Sequence, residues 1–110
     1  MNHELIMVIV NKNLNKKVME AATNAGARGG TILRGKGNSI YEKHSFWGIE
    51  IEPEKDVIFI IVEEEIKVDV LNAINEKLNL MKPNSGIAFT LKLSDAIGLR
   101  DHYEESSQRN

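Results

Sequence analysis

Two continuous apolar runs, Leu5-Ile-Met-Val-Ile-Val10 and Val57-Ile-Phe-Ile-Ile-Val62, dominate the pattern of the chain. Both are rich in β-branched residues and neither marks an outer face with polar positions, so each reads as a strand buried on both faces. After the first run, Leu14, Val18, Ala21, Ala22 and Ala25 recur at helical spacing, with Lys16, Lys17 and Glu20 on the other side. Asn13 is placed to cap this helix and Gly26 to stop it. Gly30-Thr-Ile-Leu33 reads as a short strand. A polar stretch then runs from Gly35 to Glu50, longer than most connections in compact domains, and long loops tend to carry function or to be mobile. Pro53 marks where the chain joins the second long strand. Ile66, Val70, Ile74 and Leu78, with Leu71 and Ala73, trace a second helix. Glu63, Glu64 and Glu65 fall at its start, where negative charge suits the helix dipole. Pro83-Asn-Ser-Gly86 forms a turn. Ile87, Phe89, Leu91 and Leu93 then alternate with Ala88, Thr90, Lys92 and Ser94, a strand with one buried face. The polar tail from Asp101 to Asn110 is expected to fray.

The predicted order is β-α-β-β-α-β. That is an α+β, ferredoxin-like sandwich, a four-stranded antiparallel sheet with two helices on one face. In that arrangement the first and third strands are central and the second and fourth lie at the edges. The two fully apolar runs are the first and third strands, and the shorter or alternating segments are the others. Two helices cover only one face of such a sheet. On the other face, Leu5, Met7 and Ile9 (or Ile6, Val8 and Val10) would meet water, with partners from Val57 to Val62. Side chains of this size make a patch of roughly a few hundred Å², more than a monomer usually shows. Burying each is worth about 1.5–3 kcal/mol. The expectation is a cyclic homo-oligomer that packs these faces together.

Composition narrows the function classes. At 110 residues the chain fits one domain, and 42% hydrophobic with 27% charged residues is ordinary for a folded one. A formal charge of −2 argues against a nucleic-acid binder, which needs a basic stripe to neutralise phosphates. The absence of cysteine removes disulfides, thiolate zinc sites and cysteine catalysis. The first apolar run is too short for a signal core, and no stretch approaches the roughly 20 apolar residues of a membrane helix, so a cytoplasmic protein is expected. His3, His44 and His102 share no metal-ligand spacing, so no metal site is assigned. Ser45 and Ser85 lack a nucleophile-elbow context, and no acid–base pair can be named, so no residue is assigned a catalytic role.

The chemistry concentrates elsewhere. Five of eight glycines lie between Gly26 and Gly37. Glycine accepts positive φ and lets other groups approach the backbone, so such a run can present N–H groups to an anion. Arg28, Arg34 and Lys36 bracket it, either as a solvated basic face or as phosphate-neutralising groups. Trp47, the single tryptophan, is either a core plug or a partner contact.

Together these pieces resemble the PII signal-transduction family, trimeric sensors of nitrogen, carbon and energy status. The likeness covers roughly Glu4 to Leu99. It rests on the helix-ending Gly26, on Gly29-Gly30-Thr31-Ile32 leading into the second strand, and on Gly35-Lys36-Gly37 at the loop root. Phe46-Trp-Gly-Ile-Glu50 ahead of the third strand and Ser85-Gly86-Ile-Ala-Phe89 at the last turn complete it. The resemblance implies a domain over residues 1–100, with a T-loop over 38–51 and a polar tail over 101–110. It also implies a homotrimer with clefts between subunits that take a small anionic effector. ATP, ADP or AMP would be the regulatory ligand, and no other cofactor is implied. Thr31, Gly35, Gly37 and Gly86, with Arg34, Lys36 and Arg100, would bind the ligand. Tyr41, Phe46 and Trp47 would face a target protein, in this family commonly a membrane transporter or an enzyme. Neither nucleic acid nor direct membrane insertion is implied. The chain departs from the family's pattern at Asn38 and Ser39, where an Arg and a Gln usually follow the second glycine. It departs again at Ile87, where a Lys usually follows the turn glycine. Lys82 is near but in a different register, and Tyr41 stands early for the modified tyrosine at the loop tip. These departures keep open a sensor for a non-nucleotide metabolite. A small ferredoxin-like enzyme is the third alternative.

Overall fold

The computed structural model describes residues 2–37 and 53–99, and the backbone of 45–46 and 49–50. Its elements are β1 (His3–Asn11), α1 (Asn15–Asn24), β2 (Thr31–Lys36), β3 (Ser45–Phe46), β4 (Ile49–Glu50), β5 (Glu54–Glu63), α2 (Lys67–Leu78) and β6 (Ile87–Lys92). The main sheet has the order β2-β5-β1-β6, with every neighbouring pair antiparallel. The two apolar runs are therefore the central strands, and the α+β ferredoxin-like expectation holds. The expectation of one long polar loop does not hold throughout. Ser45–Phe46 pairs antiparallel with Ile49–Glu50 inside it.

Strand alternation sorts side chains between two faces. Ile6, Val8 and Val10 of β1 and Ile58, Ile60 and Val62 of β5 point to the helix-bearing side and are almost wholly buried. Val18, Ala21 and Ala22 of α1, Ala27, and Val70 and Ile74 of α2 close over them as one core. Small residues on α1 let that helix sit close to the sheet, while the branched residues of α2 fill the remaining depth.

The opposite row runs Leu5, Met7 and Ile9 along β1. It is matched in register by Ile61, Phe59 and Val57 on β5, and by Leu91, Phe89 and Ile87 on β6. Thr31 and Leu33 extend it on β2. No helix covers this face. In the single chain Leu33, Ile61, Ile87 and Leu91 are 50%, 41%, 54% and 51% exposed. Two expectations are corrected here. In the single chain the apolar runs of the central strands are buried on the helix side and, except for the exposed Ile61, half-buried on the other, and on β6 Ile87 and Leu91 are exposed and Phe89 half-buried rather than buried. The cause is the same in both cases: a run of apolar residues records what a face prefers, not whether the chain itself covers it.

The caps also differ from the sequence reading. Asn13 does not cap α1; it lies at φ +76°, and Leu14 takes the N-cap position with no side-chain cap of its own. Gly26 follows the last helical turn at φ +114°, as expected of a C′ glycine. The acidic triplet does not open α2 directly. Glu63 ends β5 and Glu64–Ile66 forms a 3₁₀ turn, so Asp69 is the acidic residue of the α2 first turn. Glu4, nearly buried at the start of β1, lies 3.6 Å from Lys67 Nζ at the start of α2 and ties those two ends together.

Candidate functional site

One end of the sheet collects what the sequence singled out. β2 and β5 are paired there through Leu33–Val57, Arg34–Asp56, Gly35–Lys55 and Lys36–Glu54, and β1 meets β5 through Asn11–Lys55. The row Gly35, Lys55, Asn11 therefore crosses three strands on the helix-free side, one row beyond the apolar patch. The backbone N–H of Gly37 donates to Pro53 O at 3.1 Å and closes the two roots of the 38–51 segment. On the far edge, Gly86 leads into β6 and sits beside the end of β1. A Cβ there would stand 2.7 Å from both Ile9 O and Val10 Cγ1, and φ is +129°, so only glycine fits without displacement.

Gly35, Gly37 and Gly86 thus occupy the same end of the sheet. They lie on opposite edges, roughly 14 Å apart at three strand spacings. Two side chains bridge the gap. Lys55 Nζ donates to Asn11 Oδ1 at 2.7 Å, and Asn11 Nδ2 donates to Asn84 O of the last turn at 3.4 Å. Gly37 keeps the stem of Lys55 close, since a Cβ on it would lie 3.4 Å from Lys55 Cγ.

The other proposed ligand residues separate from this row. Thr31 is exposed on the helix-free face, but it pairs with Phe59 two rows further along, roughly 13 Å from Gly35. Arg34 and Lys36 share the helix-bearing side. Arg34 donates from Nε to Asp56 Oδ1 at 2.8 Å and from Nη1 to Glu54 Oε2 at 3.1 Å. Asp56 is fully buried, and its Oδ2 accepts from the backbone N–H of Asn13 and Asn15 at 2.9 and 3.2 Å and from Asn15 Nδ2 at 2.8 Å. Burial pushes the Asp56 carboxyl up. Hydrogen bonds from the Asn15 side chain, from Arg34 and from the two backbone N–H groups outweigh that and hold it below the usual carboxylate range. Asp56 in turn raises Arg34 above its ordinary value. The α1 N-terminus is thereby already occupied by an internal anion. Arg100, Tyr41 and Trp47 lie outside the described residues, as do the polar tail and most of the expected T-loop, and Phe46 is described only by its strand pairing.

Lys55, Asn11 and Asp56 were missed in the sequence. The signal was there: Lys55 precedes Val57, Phe59 and Ile61 at period two, and Asp56 precedes Ile58, Ile60 and Val62. Starting the strand at Val57 hid that both belong to it. A separate polar recess of about 350 Å³, lined among others by Asn2, His3, Ser94 and Asp95, lies at the other end of the sheet, away from these glycines. Among the described residues no cluster of three or more potential metal ligands occurs, and no helix is long and apolar enough to cross a membrane.

Comparison with known proteins adds the family. The model of the nitrogen regulatory protein P-II family matches residues 3–103. No curated protein matches the chain. Among solved structures, Arabidopsis thaliana PII bound to citrate superposes with a TM-score of 0.68 at 24% sequence identity, covering 87% of this chain and 81% of that one. That likeness supports the fold.

Proposed function

The chain belongs to the nitrogen regulatory protein P-II family, and from that premise we propose that it is a non-enzymatic signalling protein. It senses an adenine nucleotide in clefts between the subunits of a homotrimer and passes the signal to a target protein through the 38–51 loop. The observation that carries this reading is the apolar helix-free face ending in Gly35, Gly37 and Gly86. A second and third copy packed on that face would bury Leu33, Ile61, Ile87 and Leu91 and turn the glycine end into a seam. The loop roots begin at that seam, at Gly37 and Pro53. A ligand there need favour one loop state by only about 1.4 kcal/mol to swing its population tenfold.

A second reading keeps the sensor and changes the ligand. Ile87 follows the turn glycine and offers no charge, and the similar Arabidopsis structure holds citrate, a tricarboxylate. A small polycarboxylate would then fill the same seam.

Native mass spectrometry with titration calorimetry tests both. The expected result is a trimer that binds ATP, ADP or AMP with a change in Trp47 emission. Binding of citrate but of no nucleotide would favour the second reading. A monomer at micromolar concentration that binds none of these would refute both.

A further inference from the structure

Building on that reading, we infer that Lys55, steered by Asn11, is the cation that meets the phosphate groups of the nucleotide. The argument starts from the distribution of charge. Among the described residues of the four main strands, the side chains facing away from the helices are apolar or small except His3, Asn11, Lys55 and Glu63, and Lys55 is the one Lys or Arg among them. Arg34 and Lys36 are on the other side, and Arg34 is bound to Asp56 and Glu54. Lys92 shares that other side, opposite Glu4 in register. The one strand cation on the binding face stands in the row that joins the glycine pair to the last turn.

Its reach is directed. The Lys55 stem runs beside Gly37, and its ammonium donates to Asn11 Oδ1 at 2.7 Å, which draws it across β5 onto β1. Asn11 is fixed in turn by its bond to Asn84 O, 3.4 Å away in the turn before Gly86. One side-chain relay thus holds a positive charge between Gly35 and Gly86, where neither edge strand supplies one. A lysine offers a point charge with rotatable donors, which suits a phosphate chain better than a flat carboxylate fork. Asn11, a neutral amide, sets the direction of the ammonium. Both residues are therefore ligand-facing positions that the glycine motif alone does not reveal.

The test compares ATP with adenosine, which carries the same base and sugar and no phosphate. Wild type, Lys55→Met, Lys55→Arg and Asn11→Ala are titrated with both by calorimetry, each variant being checked first for a wild-type circular dichroism spectrum and oligomeric state. Lys55→Met should weaken ATP at least about tenfold, as expected for a lost charge-assisted hydrogen bond. Adenosine should bind it as it binds wild type, and Lys55→Arg should restore most of the ATP affinity. Asn11→Ala should fall between. Equal ATP affinity in wild type and Lys55→Met overturns the assignment while leaving the nucleotide reading intact, as does a loss that is the same for ATP and adenosine. Wild type that binds neither compound overturns both. If Lys55→Met alters the spectrum or the assembly, Lys55→Arg and Asn11→Ala decide: ATP affinity lowered by Asn11→Ala and kept by Lys55→Arg supports the assignment, and any other pairing overturns it.

Discussion

Arg34 Nε lies 2.8 Å from Asp56 Oδ1, so an exposed arginine on β2 is bound to a wholly buried carboxylate on β5. The same carboxylate reaches the first turn of α1 through the backbone N–H groups of Asn13 and Asn15. One residue therefore joins the two strands that root the 38–51 loop to the start of a helix. A helix whose own N-cap is Leu14 has no side-chain acceptor there, and a strand residue 41 positions beyond Asn15 takes over that role.

Replacing Asp56 should be costly. Asp56→Ala leaves the α1 N–H groups without an acceptor and Arg34 without its main partner. Losing a cap and hydrogen bonds to a charged group predicts a destabilisation of about 2–4 kcal/mol. Asp56→Asn keeps the size and one acceptor and should lose less. Urea denaturation checks this as a lower midpoint with an unchanged slope. Arg34→Ala should cost less than Asp56→Ala, because its side chain is 46% exposed and solvent replaces part of what it gives.

The same carboxylate sets a pH dependence. Asp56 is held below its ordinary value in the folded chain, whereas in the unfolded chain it titrates at about 3.9. Between those two values the unfolded state binds the proton and the folded state does not, so stability rises with pH there. The contribution is complete from about pH 5 upward and is lost as pH falls through the folded value. Thermal melts between pH 2 and 6 should show a steep acid-side loss in wild type and a shallower one in Asp56→Asn. Equal slopes in the two proteins would remove Asp56 as the source.

Much of the architecture is legible in the sequence because it rests on periodicity. The runs Leu5–Val10 and Val57–Val62 announce central strands, and the spacing of Val18, Ala21 and Ala22 announces a helix that packs one way. What escapes depends on partners distant in sequence. Asn13 looks like a cap, and only the fold shows Asp56 arriving from β5 to do that work. Ile87 and Leu91 look like core, and only the topology shows that nothing within the chain covers them. The glycines of the site were visible, but the side chains between them were not. Asn11 and Lys55 become neighbours through strand register alone.

Gly86 and Gly29 make a paired test of which glycines are required. At Gly86 a Cβ would meet Ile9 O and Val10 Cγ1 at 2.7 Å on a backbone with φ +129°. Gly86→Ala should destabilise by about 2–4 kcal/mol, combining an unfavourable backbone region with overpacking. At Gly29 a Cβ meets nothing within 4 Å. Gly29→Ala should be neutral or stabilise by about 0.4–1 kcal/mol through the unfolded chain. Chemical denaturation of the two variants side by side checks the contrast, and a neutral Gly86→Ala would mean the last turn can shift away from β1.

The helix-free face offers the last prediction. Met7 lies at its centre, between Phe59 on one side and Phe89 on the other. Its neighbours on the helix side, Ile6 and Val8, are wholly buried, so a substitution at Met7 alters the open face and leaves the core alone. If that face is packed against other copies, a lysine at its centre places a charge where an apolar surface should be, and burying an unpaired ammonium is prohibitive. Met7→Lys should therefore shift the protein from trimer to monomer while keeping its far-ultraviolet circular dichroism. Loss of the trimer should also abolish any nucleotide binding that needs two subunits. Light scattering gives the mass and calorimetry the binding. A Met7→Lys protein that stays assembled would show that copies do not meet through this face, and a folded monomer that binds ATP at wild-type affinity would place the ligand within one chain.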